Sequence, residues 1–249
     1  MSRHYKIDGL ELPSVTTIIS DCTDKSGALT QWAANMVCEW IKQNCIIPKR
    51  GNYMNGEDYC VSLEDLDNAR FNFREVSQTA LDIGSAVHQS IEDYLMTGKD
   101  PQKTKEDDRI LAGFIAFLEW MDNNHVEVID VEQTVRGRYW AGTRDLKAVI
   151  NGKVAVVDFK TGKAIYANEY GPQIAAYRSP DPDVEESWIL RLDKETGLPE
   201  FKDFSKRYES DLNIFNAMVE LYMLRHPRIA KKAGYVRELS GHNPIWWKY

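Results

Sequence analysis

Two carboxylates and an ammonium stand out by their spacing in GTRDLKAVINGKVAVVDFKTGK, Gly142 to Lys163. Asn151-Gly152 is the favoured pair for a two-residue hairpin turn, because both positions of a type I′ turn need positive φ. A turn there pairs Ile150 with Lys153 and sets Asp145 opposite Asp158. Carboxylates facing each other across a ladder lie about 4.5–5.5 Å apart at Cβ and repel unless something compensates. A divalent cation does so, since Mg²⁺ and Mn²⁺ take oxygen ligands from paired carboxylates. Lys160, two residues beyond Asp158, leaves the same face of the strand. An acid pair holding a metal with an ammonium beside it suits phosphodiester hydrolysis. The metal clamps the phosphate and lowers the pKa of water, while the lysine orients that water or offsets charge in the transition state. A lone Asp-x-Lys at a strand end is usually a solvated salt bridge. The opposed Asp145 shifts that balance, and a one-residue change of turn type would undo it.

Other residues converge on the same site. Upstream, GSAVHQSIEDYL places His88 and Glu92 four residues apart on one helix face. Downstream, Gln173 and Tyr177 in YGPQIAAYR are also four apart, an amide and a phenol beyond the Asp158 strand. Alone, either pair is weak, because a helical His is more often packed or exposed than a ligand.

The elements that must position these residues follow from apolar periodicity. Residues 28 to 44 put Leu29, Trp32, Ala33, Met36, Val37, Trp40 and Ile41 at amphipathic spacing, which reads as a core-packing helix. Pro48 to Asp58 reads as a loop. Helices are expected over roughly 62 to 98, with a break, and over 105 to 124, the second carrying Leu111, Phe114, Ile115, Leu118 and Met121 on one stripe. From Val126 the pattern turns to β: VEVIDVEQTV, GTRDLKAVI, KVAVVDF and SWILRLD are four strands rich in β-branched residues. A helix around Tyr170 to Arg178 falls between the third and fourth strands. Residues 207 to 226 form a last amphipathic helix with Leu212, Phe215, Val219, Tyr222 and Met223 along one side. The order implies an α/β fold, a mixed central β-sheet flanked by helices with a helical N-terminal elaboration.

Composition bounds the class. The chain has 249 residues, 43% of them hydrophobic and 28% charged, enough for one large or at most two small globular domains and unlike a disordered or fibrous chain. Its longest mostly apolar stretch, Leu111 to Leu118, is far short of the ~20 residues a membrane span needs. The N-terminal residues lack an apolar signal core and carry Asp8, Glu11, Asp21 and Asp24, so a cytoplasmic location is expected, in the host if the chain is phage-encoded. Cys22, Cys38, Cys45 and Cys60 show no Cys-x-x-Cys pair and read as reduced thiols.

Taken in order, these elements resemble the PD-(D/E)XK nuclease superfamily and, within it, the RecB-like exonuclease branch. Gly84 to His88 matches its G-x-x-x-H motif, Glu132 its acidic strand residue, Gly142 to Asp145 its G-x-x-D, DFKTGK its D-x-K, and Gln173 to Tyr177 its Q-x-x-x-Y. LPSVTTII, Leu12 to Ile19, also resembles the start of phage-encoded members and of the mitochondrial genome maintenance exonuclease. The resemblance implies a restriction-endonuclease-like core and a single nuclease domain over 1–249. Residues 1–125 would be mostly helical with the His motif, 126–206 the sheet core with the metal site, and 207–249 a C-terminal helix and tail. It implies Mg²⁺ or Mn²⁺ on His88, Asp145, Asp158 and the backbone carbonyl of Phe159, with Glu132 behind them. Lys160 would act at the attacking water, and Gln173 and Tyr177 on the scissile strand's phosphates. Arg144, Thr161 and Lys163 join them as expected substrate contacts. The product would carry a 5′-phosphate.

Some relatives hold an iron–sulfur cluster through one cysteine before the core and three after it. All four cysteines here precede His88, so no such cluster is expected. The implied activity is a single-strand-preferring DNA exonuclease of phage or bacterial recombination, repair or replication, with a recombination or replication protein as a possible partner. The alternatives are a structure-specific endonuclease and a nuclease-fold DNA-binding or interaction module with little catalysis. Relatives thread single strands past their N-terminal helices, where Trp32, Trp40, Tyr53, Tyr59, Phe71 and Phe73 are stacking candidates, with Trp32 and Trp40 better read as core.

The net charge of −7 opposes a nucleic-acid partner only in total. Residues 1 to 100 hold 9 basic and 15 acidic side chains, so most of the excess acid lies there. Residues 136 to 163 hold 7 basic and 2 acidic, and residues 201 to 249 hold 9 and 5. The expectation is local binding of DNA at the active groove rather than general coating of a duplex.

Overall fold

The computed structural model describes residues 4–44, 62–101 and 107–236. Its centre is a five-stranded mixed sheet in sequence order: β3 (Val126–Arg136), β4 (Ala141–Ile150), β5 (Lys153–Lys160), β6 (Glu186–Leu192) and β7 (Pro199–Asp203). Strands β3, β4 and β5 form an antiparallel meander. Helix α5 (Ala167–Arg178) then crosses over so that β6 runs parallel to β5, and β7 returns antiparallel. The turn at Asn151-Gly152 has φ of 50° and 87°, both positive as a type I′ turn demands, and Ile150 pairs with Lys153. The remaining elements are β1 (His4–Ile7), β2 (Leu10–Pro13), α1 (Val15–Cys22), α2 (Ser26–Asn44), α3 (Leu63–Thr97), α4 (Asp108–Asp122), α6 (Tyr208–Arg225) and α7 (Pro227–Lys232).

Alternation along the strands divides the sheet between two sets of helices. Leu146, Ala148, Ile150, Ala155, Val157 and Phe159 pack with Val87 and Ile91 of α3 and with Phe114, Phe117 and Trp120 of α4. On the other face Val156 and Ile189 meet Ile174 of α5. A third cluster joins α1, α6 and the N-terminal hairpin around Val15, Ile18, Tyr177 and Phe215.

Several expectations are corrected. Helix α2 is amphipathic where expected but has no fully buried residue. Trp32, Met36 and Trp40 are half-buried, and Trp32 meets Phe73 of α3 edge-on at 6.4 Å, so α2 is not a core helix. Helix α3 runs unbroken for 35 residues, about 50 Å. It starts at a Ser62–Asp65 capping box and stops at Gly98 in the left-handed conformation. In α4 the buried face is Gly113, Phe114, Ala116, Phe117 and Trp120, rotated from the expected stripe, and Ile115 is exposed. The β1–β2 hairpin and β7 were not foreseen. Cys45, Cys60, Tyr53, Tyr59 and the loop read at Pro48 to Asp58 lie outside the described residues, while Cys22 and Cys38 are free thiols. Among the described residues no helix is long and apolar enough to cross a membrane.

Candidate active site

The hairpin and the β3 edge together bring three acids into one row. Val131 pairs with Leu146 and Gln133 with Arg144, so Glu132 shares its register position with Asp145. The β4–β5 ladder ends at Leu146 and Val157, so Asp145 and Asp158 occupy the next position. Backbone pairing stops there because the Asp145 carboxylate takes over: its Oδ2 accepts from the Phe159 amide at 2.6 Å. Glu132 has φ of 50° within β3, just after a register shift between Val128 and Asp130. A glutamate in that conformation is strained by about 1–3 kcal/mol, and bulged strands with such residues re-aim side chains.

Helix α3 lays His88 over this row. Its Nδ1 lies 3.6 Å from Asp145 Oδ1, and its ring stands edge-on to Phe159 at 5.8 Å. Ligand atoms of His88, Glu132 and Asp145 all lie within 4.8 Å of one another. One turn earlier, Gly84 has no Cβ because Thr161 Oγ1 would lie 2.8 Å from it, which gives the G-x-x-x-H spacing a steric reason. Gly142 is equally constrained: its Cβ would meet Tyr177 at 2.6 Å.

Asp158 faces α5. It forms an ion pair with Lys160, and Gln173 Nε2 donates to its Oδ1 at 3.0 Å and to the Tyr177 hydroxyl at 3.3 Å. Gln173 and Tyr177 are 6% and 4% exposed, so they act first as a brace behind Asp158. The Lys160 ammonium also sits 4.9 Å from the Tyr170 ring.

Burial and mutual charge set the protonation states. Burial works against the His88 imidazolium, yet the Asp145 carboxylate raises its pKa above 6.5. Burial works against the Asp145 carboxylate too, but His88, Lys160 and the Phe159 amide hold it below the usual range. Asp158 is pushed up to about 6, by burial first and then by Asp145, although Lys160 opposes this. For Lys160, Asp158 and Asp145 outweigh the burial that disfavours its charge, so it stays an ammonium. Burial pushes the Tyr177 phenol well above 10.

These groups sit where two spaces meet. A cleft of about 660 Å³ runs along α3 past His88, Glu132, Phe159, Lys160 and Thr161. A smaller chamber of about 220 Å³ behind it is lined by Asp145, Asp158, Gln173 and Tyr177 and by Tyr5 and Ser14 of the N-terminal segment. His88, Glu132 and Lys160 line both.

Most expected site residues are therefore together, with three differences of place. Glu132, expected behind the metal ligands, lies in one cluster with His88 and Asp145, while Asp158 is engaged by Lys160 and Gln173. Arg144 lines neither space; its guanidinium, 3% exposed, is paired with Asp130 and Asp181, so it is not brought to the substrate side. Lys163 is exposed beyond Thr161 and lines neither space. Tyr170 and Lys194 reach the site unforeseen. The only available signal was Tyr170's place three residues before Gln173 on the same helix.

The donor set fits a hard divalent cation: two carboxylates and an imidazole converge, and a third carboxylate waits beside a cation.

No family model matches the chain. Nor does any curated protein match it in sequence. Among solved structures it is similar to an alkaline exonuclease (LHK-Exo) from Laribacter hongkongensis, with 10% identity, a TM-score of 0.35, and coverage of 88% of this chain and 93% of that one. A likeness so slight brings no chemistry across, and the site's own residues carry the functional reading.

Proposed function

We propose that this chain is a divalent-metal-dependent deoxyribonuclease that hydrolyses phosphodiester bonds of single-stranded DNA from a free end, as one nuclease domain. The observation that carries the reading is the acid row Glu132, Asp145 and Asp158, flanked by His88 and Lys160 where the cleft meets the chamber. His88, Glu132 and Asp145 would hold Mg²⁺ or Mn²⁺, with Asp158 and the Phe159 carbonyl completing the set. Bound there, the cation would supply Lewis acidity to a phosphoryl oxygen and to the attacking water.

The chain's own residues do the rest. Lys160, kept charged by Asp158, would hydrogen-bond the water and orient it, and would offset negative charge as the phosphorus gains its fifth oxygen. Asp145 fixes the Phe159 backbone through its amide and orients the imidazole through its other oxygen. Gln173 holds Asp158 in place and ties it to Tyr177. Thr161 presents a hydroxyl in the cleft beside Lys160. The preference for single strands and ends rests on the resemblance of the motifs to RecB-like exonucleases.

The test uses linear end-labelled and circular single-stranded DNA with Mg²⁺ or Mn²⁺. EDTA-sensitive loss of the linear substrate alone, releasing 5′-phosphorylated products, is the expected result. No metal-dependent cleavage, or cleavage unchanged in Lys160→Ala, overturns the reading. Cleavage of the circle makes the enzyme an endonuclease.

A further inference from the structure

One cation in the cleft has no ion pair among the described residues. Lys194 lines the same cleft as His88, Glu132 and Lys160, from the turn between β6 and β7. Lys25, Lys99, Lys147, Lys153, Lys160 and Lys232 each lie within ion-pair distance of a carboxylate. Among the described residues Lys194 has no such carboxylate; the other described lysines without an ion pair, such as Lys163 and Lys202, are exposed and line no part of the cleft, whereas Lys194 is half-buried in it. Of the acids that share the cleft, Glu132 clusters with His88 and Asp145, and Glu92 accepts from the Gln89 side-chain amide at 3.0 Å.

The turn that presents Lys194 is stiff. The Asp193 carboxylate accepts from the amides of Glu195 at 2.9 Å and Thr196 at 3.1 Å and from Arg191 at 2.9 Å. The Glu195 amide, helped by Arg191, holds that carboxyl down to about 2. Gly197, at φ 72°, donates its amide to the Asp193 carbonyl at 2.9 Å. Burial pushes the Lys194 pKa down and Arg109 adds to this, against the opposing pull of the exposed Glu195, which lies outside ion-pair distance. A half-buried cation fixed in a cleft without an ion pair suits an anion from outside.

Lys160 lines both the cleft and the inner chamber, whereas Lys194 lines the cleft alone. We propose that Lys194 binds a backbone phosphate flanking the scissile one, holding the single strand along α3 without touching the reacting group. This rests on the nuclease reading above. It follows that Lys194 acts on binding and KM, and Lys160 on turnover.

The experiment measures anisotropy of a fluorescent oligothymidylate in EDTA over a salt series, and KM and kcat for cleavage in Mg²⁺. It compares wild type, Lys194→Ala, Lys194→Arg and Lys202→Glu, the last an exposed position on β7 outside the cleft. Losing one phosphate contact should lower the slope of log K against log salt by about 0.7 for a single strand. Lys194→Ala should show that loss and raise KM several-fold with kcat near wild type. Lys194→Arg should restore both, and Lys202→Glu should change neither. Wild-type slope and KM in Lys194→Ala, a loss confined to kcat, or an equal effect of Lys202→Glu overturns the role of Lys194 and leaves the nuclease reading intact. A wild-type protein that neither binds nor cleaves DNA overturns both. Should Lys194→Ala fail to fold, Lys194→Gln, which keeps a long polar side chain without its charge, takes its place: a reduced slope and raised KM support the role, and wild-type slope and KM refute it.

Discussion

Gly142→Ala measures how tightly the acid row is braced from behind. The added Cβ would lie 2.6 Å from Tyr177 Cε1 and 3.3 Å from a Val15 methyl. Ordinary carbon contacts begin near ~3.5 Å, so the ring must retreat by about 1 Å. It has little room, being 4% exposed and joined through Gln173 to Asp158. Overpacking of this kind destabilises by about 1–3 kcal/mol, while alanine's restriction of the unfolded chain returns about 0.4–1 kcal/mol. The net is a loss of about 1–2 kcal/mol, or roughly 2–8 °C in Tm for a chain of this size. Cleavage should fall further than stability, because the displaced ring carries Gln173 away from Asp158. Removing the ring removes the clash, so in a Tyr177→Ala background the same substitution should be neutral or stabilising by up to about 1 kcal/mol. Thermal and urea unfolding of the four proteins close this cycle. An equal penalty for Gly142→Ala in both backgrounds would refute the reasoning.

Lys160→Ala should lower kcat by about 10²-fold or more, with the circular dichroism of the folded protein retained, as single-turnover cleavage would show. Arg144→Ala should do the reverse: removing the cation between Asp130 and Asp181 destabilises by about 3 kcal/mol in chemical unfolding, and KM for DNA stays at the wild-type value. In the metal-free protein the raised pKa values of Asp158, at about 6, and of His88 both favour folding at low pH. The Asp158 contribution is lost as pH rises through about 6 and the His88 contribution as pH passes its raised value, while Asp145, held low, acts oppositely only below about pH 4. Tm in EDTA should therefore fall from about pH 4 to 8 and Mn²⁺ affinity should rise over that span, because the ligands must shed protons; a flat Tm and a flat affinity contradict this. At 100 times its Kd, Mn²⁺ should add about 2.7 kcal/mol of stability in wild type, measured by unfolding with and without EDTA, and much less in Asp145→Asn.

The hairpin was legible because Asn151-Gly152 fixes both turn type and register, and register alone aligns Asp145 with Asp158. His88, Gln173 and Tyr177 were legible as helical pairs pointing to one place. What the sequence withheld depends on tertiary contact. Nothing in VEVIDVEQTV announces a register shift at Val128 and Asp130 or a positive φ at Glu132, which accompany the placing of that carboxylate beside His88 and Asp145. Arg144 belongs to a basic run, yet its partners Asp130 and Asp181 come from another strand and from beyond α5, so its burial could not be read locally. Helix α2 has the apolar spacing of a core helix, but periodicity reports that a face is covered and not how completely; α3 covers this one only in part. Gly84 and Gly142 were visible as motif positions, and only the approach of Thr161 and Tyr177 explains them.

The central claim is that His88, Glu132 and Asp145 form a divalent-metal site beside Lys160. Diffraction from crystals soaked in Mn²⁺, recorded to give anomalous signal, tests it most directly. The account predicts an anomalous peak bound by those three side chains, lost in crystals of Asp145→Asn. A saturating soak that leaves the triad without a peak would contradict it.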